Sequence, residues 1–331
     1  TGYGIYIPKY RIERSIIGKA WSGRSRGQNA IAGADEDVIT MAAEAALNAV
    51  THADIDSTCD LEILYFGTSS ALDFEHSSLG VIGEVLRASD EIDYAEFTAS
   101  PRASFAALKA CQDAAASGRI TNGLVIGAEQ RATAAGSQEE MNCGDGAVAI
   151  MLGTNNVIAE IDAIYSYATN FVDRWRDADS DFVKEYEPRF TRDYGYKQHI
   201  IAAAGGLFAK LQCGIDDFDH VVLQQPNASM VSGVAKALNA NQDQLAHGGL
   251  INEVGDLGAA SALMGLAGVL DKAEPGERIL VLSYGSGASD AIALSVTDAI
   301  AAKRDKLKPV SLYLKSSQQI GDYVAFAKMT G

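Results

Sequence analysis

The chain has 331 residues, of which 47% are hydrophobic and 21% charged, a balance typical of a globular protein rather than of a disordered one. With 27 basic and 43 acidic residues its net charge is −16, which argues against non-specific binding to nucleic acids or to anionic membranes. No apolar run approaches the ~20 residues of a membrane span, and the four cysteines are too scattered for a disulfide framework or a structural metal site, so we expect a cytoplasmic protein without a metal of its own.

The first third of the chain predicts two strands and two helices. Residues 2–7 are a short apolar strand, whereas residues 9–33, rich in Arg, Lys, Gly and Ser, predict an irregular basic segment. Three acidic residues open the run 35–50, whose apolar residues recur at helical spacing. The continuous apolar run 61–67 is typical of a buried parallel strand, and a helix over 77–87 follows it.

Residues 93–111 predict a strand, a tight turn and an Ala-rich helix that begins near Arg102. Many α/β enzymes hold a nucleophile in such a turn, because the helix N-terminus stabilises a thiolate or an oxyanion. The turn contains Thr98, Ala99, Ser100 and Pro101 but no cysteine. We therefore expect an elbow of the kind that presents a nucleophile, with none present.

The second half of the chain repeats the pattern of the first. The run 218–227 with its following helix resembles 61–67 with helix 77–87, and the runs 278–287 and 289–296 resemble 122–127 and 144–152. Two α/β halves in the same order imply an internal duplication, stacked as layers of helix and sheet. We divide the chain into halves 1–160 and 161–331 of one compact unit, with an insertion, 165–195. This aromatic and charged insertion either packs over a substrate or partner face or is a solvated surface excursion.

Several stretches together resemble one known family. They include YGIYIPKYRI, DEDVITMAAEAA, the elbow, GLVIGAEQ, FDHVVLQQPN and, most strongly, GERILVLSYGSGASDAIAL. In order and spacing the chain resembles the thiolase superfamily and, within it, the archaeal type of 3-hydroxy-3-methylglutaryl-CoA synthase. The resemblance implies a thiolase-like, duplicated five-layer α/β/α/β/α fold.

That family implies a cysteine acylated by acetyl-CoA, a glutamate that acts as general acid and base, and a histidine that helps to bind the second thioester. The resemblance places the cysteine at about Pro101, or at Ser100 if the turn shifts by one. It places the glutamate at Ser69, the histidine at Gln224, and a further asparagine at Asp256. Because these residues supply neither a nucleophile of low pKa nor a proton carrier, we predict that the family's chemistry is absent.

The same substitutions are similar to those of the synthase-like subunit in the three-component acyltransferase of the diacetylphloroglucinol pathway. In such complexes a thiolase-like subunit carries the working cysteine, and a small OB-fold, zinc-ribbon subunit tethers it. The resemblance therefore implies these two partners, zinc only on a partner, and a contact between two copies through a central strand. A coenzyme A thioester is the implied ligand, with no tightly bound cofactor.

Two alternatives remain beside this non-catalytic subunit. The chain is either a module that binds acyl-CoA without transforming it, or an active acyltransferase with Ser100 or Cys143 as replacement nucleophile.

We predict that Arg102, Cys143, Asn227, Gly285 and Ser286 line the remaining pocket, with Arg102 placed to block acyl-CoA entry. The Gly-rich loop that contains Gly285 lacks the following helix of a phosphate-binding loop, so we expect it to shape the pocket only.

Overall fold

Two β-sheets form the core of the chain in the computed structural model, which describes residues 1–23, 25–55, 57–73, 75–177 and 179–330. The strands are β1 Gly2–Tyr6, β2 Tyr10–Glu13, β3 Gln28–Ile31, β4 Ile63–Gly67, β5 Asp93–Phe97, β6 Asn122–Glu129, β7 Gly146–Gly153, β8 Ala159–Ala168, β9 Arg174–Trp175, β10 Lys184–Glu185, β11 His220–Leu223, β12 Arg278–Gly285, β13 Ala288–Val296 and β14 Gln318–Ile320.

The helices cover the two faces of each sheet. They are α1 Arg14–Ala20, α2 Val38–Ala53, α3 Leu79–Leu86, α4 Ala103–Ala116, α5 Gln138–Asn142, α6 Pro188–Phe190, α7 Gln198–Leu211, α8 Ala228–Leu238, α9 Gln242–Leu245, α10 Ile251–Val254, α11 Ser261–Leu270, α12 Ala299–Lys303, α13 Val310–Lys315 and α14 Tyr323–Thr330. A π-helical segment, Thr191–Lys197, joins α6 to α7.

The two sheets repeat one strand order. The first sheet has the order β1-β7-β6-β4-β5 and the second β8-β13-β12-β11, read from the corresponding edge. In both, the two inner pairs match in direction: β4 and β11 run parallel to β6 and β12, which run antiparallel to β7 and β13. The second sheet lacks a counterpart of β5. The division at residue 160, which falls at the start of β8, stays a prediction.

Five layers of helix and sheet result from this repeat. Helices α2 and α3 pack on the outer face of the first sheet, and α7 and α8 on the outer face of the second. Between the sheets lie α4 and α11, whose apolar side chains share one core with both. Every residue of α11 is buried, which explains why its sequence is apolar on all sides. The thiolase-like five-layer fold is therefore present.

Small residues allow the outer helix α2 to approach the first sheet closely. Asp37 caps the helix, since its side chain accepts hydrogen bonds from the backbone N–H groups of Ile39 and Thr40. A Cβ atom on Gly4 of β1 would collide with the backbone of α2 at Ala45 and Ala49. The edge strand β1 can therefore lie directly against the helix.

The expectation of an irregular segment over residues 9–33 is wrong. This stretch contains β2, α1 and β3, and β2 pairs with both β3 and β14. Arg11 and Arg14, two of the basic residues of this stretch, are buried. Arg11 donates a 2.8 Å hydrogen bond to the carbonyl of Tyr10, and Arg14 a 2.7 Å bond to the side chain of Asn29. Both guanidinium groups thus donate hydrogen bonds inside the fold, which offsets the cost of burying them.

In the part of the chain that the model describes, no helix combines the length and the apolarity needed to cross a membrane.

Candidate functional site

The turn between β5 and α4 forms a strained elbow at Ala99. Its φ of +68° lies in the left-handed region, which a residue with a Cβ atom adopts only at a cost of about 1–2 kcal/mol. A sharp, strained strand-to-helix turn is the geometry in which α/β enzymes present a nucleophile. Here the presented side chain is the exposed methyl group of Ala99. Sequence reasoning could not find this position, because φ cannot be read from an alanine.

Ser100 and Pro101, the positions assigned to a nucleophile by the resemblance, follow the strained residue. The Ser100 hydroxyl accepts a 3.1 Å hydrogen bond from the backbone N–H of Arg102, and its carbonyl accepts one from Ala103. Ser100 thus stabilises the turn that leads into α4, which begins at Ala103. Pro101 lies beside it and carries no nucleophilic group.

Ser69, at the end of β4, is held by a buried glutamate that the sequence did not single out. Its hydroxyl donates a 2.9 Å hydrogen bond to Oε2 of Glu129, and its backbone N–H lies 3.1 Å from Oε1. The same carboxylate accepts a 2.8 Å bond from the N–H of Ala259, in the second half of the chain. Glu129 is fully buried, so its acceptor capacity serves to join the loops that surround the elbow. Its place at the end of β6, beside the end of β4, was the available signal.

Gln224 and Asp256 also have structural partners. The Gln224 amide donates a 2.8 Å hydrogen bond to the carbonyl of Gly258. Asp256 accepts a 2.9 Å bond from the N–H of Gly258 and forms an ion pair with Arg131 at 2.8 Å. A side-chain amide neither gains nor loses a proton near neutral pH, so Gln224 cannot act as a general acid or base. The charge of the buried Asp256 is already balanced by the guanidinium of Arg131.

Cys143 is buried and poorly suited to nucleophilic attack. Burial raises the pKa of its thiol to about 12, although the positive charge of Arg131 opposes the shift. Burial also raises the pKa of Cys111, inside α4, to about 12. Both cysteines are therefore thiols at neutral pH, and the thiolate is the reactive form.

A cavity of about 770 Å³ opens beside the elbow. Of the five residues predicted to line a pocket, Cys143, Asn227, Gly285 and Ser286 lie in its wall, together with Pro101. Asn227 of the QQPN stretch and Gly285 and Ser286 of the YGSG stretch thus lie together in one cavity wall.

Arg102 departs from its predicted place. Its guanidinium lies 2.7 Å from the buried carboxylate of Asp290, outside the lining of the cavity. The carboxylate attracts the guanidinium, so the side chain of Arg102 lies between the two halves of the chain. Arg102 therefore does not block the cavity as expected.

The exposed face of the elbow lies in a second, adjoining cavity of about 510 Å³. Its wall contains Ser69 and Ala99, and it shares Pro101, Arg174 and Ser286 with the larger cavity. Because the two cavities share these residues, a ligand in the larger one can extend towards the methyl group of Ala99.

Five arginines line the larger cavity, and sequence reasoning missed them. They are Arg14, Arg26, Arg174, Arg189 and Arg192. Arg174 forms an ion pair with Glu139. Three of the five belong to the insertion 165–195, which forms the β9–β10 hairpin, α6 and the π-helical segment. Part of the insertion therefore lines the cavity, and its RWR and PRF runs were the available signal. Its two alternative roles, a substrate or partner face and a solvated surface excursion, stay predictions.

His199 has structural partners on both ring nitrogens. They lie 2.8 Å from the Thr169 hydroxyl and 2.7 Å from the Gly195 carbonyl. Within the described residues, no three His, Cys, Asp or Glu side chains are grouped so as to hold a metal ion.

Comparison with known proteins agrees with this architecture. Residues 208–296 match the family model described as 3-oxoacyl-[acyl-carrier-protein] synthase III C terminal. Among solved structures, the synthase III of Aquifex aeolicus superposes with a TM-score of 0.80 at 21% identity, covering 89% of this chain and 98% of that one. MvaS in complex with 3-hydroxy-3-methylglutaryl coenzyme A superposes with a TM-score of 0.87 at 16% identity, covering 99% and 90%. These structures show the fold.

Two curated relatives show the family. The hydroxymethylglutaryl-CoA synthase of Methanocaldococcus jannaschii is 36% identical over an alignment of 337 positions, which spans 99% of this chain and 97% of that protein. The hydroxymethylglutaryl-CoA synthase of Pyrococcus furiosus is 36% identical over 333 residues, with coverage of 99% and 94%. The thiolase-like fold, the strained elbow and this similarity along nearly the whole length together lead to one assignment: the chain belongs to the hydroxymethylglutaryl-CoA synthase family.

Proposed function

We propose that this chain is a non-catalytic, synthase-like subunit of a multi-component acyltransferase or thiolase complex that acts on acyl-CoA or acyl-ketone substrates. The catalytic cysteine is on a thiolase-like partner. The relatives described above bear the name of a synthase, so the proposal rests on what this chain has in place of a working site.

The observation that carries the proposal is the methyl group of Ala99 at the strained position of the elbow. An acyl-enzyme needs a nucleophile at that point and a proton carrier within hydrogen-bond reach. Ser69, Gln224 and Asp256 instead hold loops together. The backbone of the site is retained, and its reactive side chains are not.

An active acyltransferase with a replacement nucleophile fits less well. The Ser100 hydroxyl stabilises the start of α4, and burial keeps Cys143 protonated. A serine also needs an adjacent base to become nucleophilic. Among the described residues that line the larger cavity there is no histidine.

The partners proposed for this subunit are the thiolase-like subunit and a small OB-fold, zinc-ribbon protein that carries the zinc. The open edge of β5 supports a contact with a further chain, since β4 is the one strand among the described residues with which β5 pairs. An unpaired edge offers a row of backbone donors and acceptors to another strand. Val81 and Val85 of α3 and Tyr94 of β5 expose apolar side chains nearby, which favours a second copy of this chain or the related thiolase-like subunit.

A second candidate function, a module that binds acyl-CoA, is favoured by the larger cavity. The exposed guanidinium groups of Arg26 and Arg189 in its wall suit the phosphates of coenzyme A. MvaS and a second synthase whose solved structure contains CoA are structural neighbours that support a thioester ligand.

The test is intact-protein mass spectrometry after incubation with acetyl-CoA, with this chain alone and with its co-purified partners. We expect the acetyl mass on a thiolase-like partner and none on this chain. A stable acetyl adduct on this chain would overturn the proposal, and peptide mapping would identify the nucleophile.

The binding function is tested separately by calorimetric titration with coenzyme A. Arg189→Glu reverses a charge at the cavity rim, and Lys236→Glu makes the same change on the exposed face of α8. We expect the first variant to weaken binding about tenfold and the second to leave it unchanged. Equal effects of the two substitutions would place coenzyme A elsewhere or nowhere on this chain.

A further inference from the structure

A further cavity, distinct from the two at the elbow, lies between the two sheets. It measures about 280 Å³ and shares no lining residue with either cavity at the elbow. Protein interiors are close-packed, and voids much larger than a water molecule are few in any domain. A space of this size in the middle layer therefore needs an explanation.

Both central helices present an apolar stripe to this cavity. Phe105, Leu108 and Ala115 recur on one face of α4, and Leu263, Leu266 and Leu270 do so on α11. The spacing of three, four or seven residues places each set along one side of its helix.

The strands close the cavity from both sides. Ile150 and Leu152 of β7 belong to the first sheet, and Val281, Ile292 and Leu294 to the second. Residues two apart in one strand share a face, so both sheets turn aliphatic side chains inward. The space itself arises where small residues stand near one end of the cavity: Gly153, Ala115, Ala116 and Ala159.

The lining of this cavity offers few hydrogen-bond partners to water. A buried water molecule needs two to four polar partners, and an apolar cavity of about 150 Å³ stays dry and can bind benzene. The polar side chains that line this one, such as Gln112, Thr154 and Glu160, lie near its small-residue end and are at least partly exposed. Most of the remaining lining residues are apolar, which favours an apolar guest over water.

We propose that this cavity is a binding site for an unbranched alkyl or acyl chain with a neutral head group. By comparison with benzene in about 150 Å³, the volume suits ~10 carbon atoms. The chain lies between α4 and α11, and its head meets solvent beside Gln112 and Thr154. The exposed carboxylate of Glu160 disfavours an anionic head at the same opening.

Because α4 follows the elbow and lines the cavity from Phe105 to Ala116, the guest contacts the helix that begins beside Ala99. The site goes beyond the function proposed above and does not require it.

The test is calorimetric titration of the full chain with 1-octanol, with 1-butanol and octanoyl-CoA as further probes. We expect one octanol per chain and roughly a hundredfold weaker binding of butanol, which buries four fewer methylene groups. Octanoyl-CoA, whose head group is anionic, should compete with octanol only weakly; competition as strong as that of octanol itself would contradict the neutral head group.

Two substitutions fill the cavity, and a third controls for the change itself. Ala115→Leu adds bulk from α4 and Leu266→Phe from α11, whereas Ala110→Leu makes the first change on α4 outside the lining. We expect at least tenfold weaker octanol binding in the first two variants and wild-type binding in the third. Folding of each variant is checked by circular dichroism. Absence of stoichiometric octanol binding to the wild type, or unchanged binding to folded Ala115→Leu, would overturn the proposal.

Discussion

Nη1 of Arg102 lies 2.7 Å from Oδ2 of Asp290, so the first turn of α4 is joined directly to β13 of the second sheet. Lys109, two turns further along α4, pairs with the other oxygen of the same carboxylate. The hydroxyls of Ser166 and Ser283 are also directed at it. A fully buried carboxylate thus holds the elbow helix against the other half of the chain.

We predict that Asp290→Asn lowers the free energy of unfolding by ~3 kcal/mol at pH 7, because it leaves two cations without their counter-charge. Burial alone would raise the pKa of Asp290, but Arg102, Lys109 and Ser166 together hold it below its ordinary value. Stability from this group is therefore present above the unfolded pKa of about 4 and is lost as the pH falls through the lower, folded value. Urea unfolding at pH 7 and pH 3 measures both effects.

The control for that prediction is Asp93→Asn, which removes an exposed ion pair with Arg119. Exposed pairs contribute less than about 1 kcal/mol. Equal losses in the two variants would mean that the contact at Asp290 is no stronger than a surface pair.

Ala99→Cys is expected to create a reactive thiol. The new side chain would lie at the N-terminus of α4, where the helix dipole lowers the pKa of a thiol and favours the thiolate. We expect iodoacetamide at pH 7 to modify it about tenfold faster than the exposed Cys59 of the same chain, and to leave the buried Cys111 and Cys143 unmodified. Peptide mass mapping over time measures the rates. A rate at or below that of Cys59 would show that the elbow no longer activates a nucleophile.

Asp145→Asn is expected to stabilise the protein above neutral pH. Burial raises the pKa of Asp145 to about 7, against the opposing effects of the Ala32 N–H and of Arg131. Between about pH 4 and pH 7 the folded chain keeps a proton that the unfolded chain releases, so stability from this group falls as the pH rises through that range. The loss amounts to up to about 4 kcal/mol, since each pKa unit corresponds to ~1.4 kcal/mol.

The variant retains an oxygen to accept the 2.8 Å hydrogen bond from Ala32. Wild type and variant are compared by urea unfolding at pH 4.5, 6 and 8. We expect their difference to grow with pH in favour of the variant; a constant difference would contradict the raised pKa.

The edge of β5 is expected to mediate self-association. Val81→Lys with Tyr94→Lys places charge on the exposed apolar face of α3 and β5, where lysines discourage strand pairing. Sedimentation velocity should show a dimer for the wild type and a monomer for the double variant. Val324→Lys, on the exposed face of α14, serves as the control and should remain dimeric. A monomeric wild type would refute this contact.

Much of the fold could be predicted because several of its strands are continuous apolar runs in the sequence. The stretches 61–67, 278–287 and 289–296 were each predicted within a few residues, since a strand buried on both faces leaves a continuous signal. The segment 9–33 failed for the opposite reason. Arg11 and Arg14 resemble surface residues in sequence, and only the folded chain supplies the acceptors that allow their burial.

The site was predicted less completely. Asn227, Gly285 and Ser286 could be placed in the cavity wall because they lie in the QQPN and YGSG stretches, which carry the resemblance to the family. The roles of Glu129 and Arg131 depend on partners more than 100 residues away, Ala259 and Asp256. Local patterns do not contain such information.

The left-handed conformation of Ala99 has an evolutionary consequence. Alanine and glycine codons differ by a single base, so one point mutation could introduce the residue that accepts this φ at the lowest steric cost. Serine is also one base away for every alanine codon, and would place a hydroxyl at the head of α4. One base change in the Ala99 codon could therefore relieve the backbone strain with glycine or introduce a serine hydroxyl. A cysteine thiol requires at least two base changes.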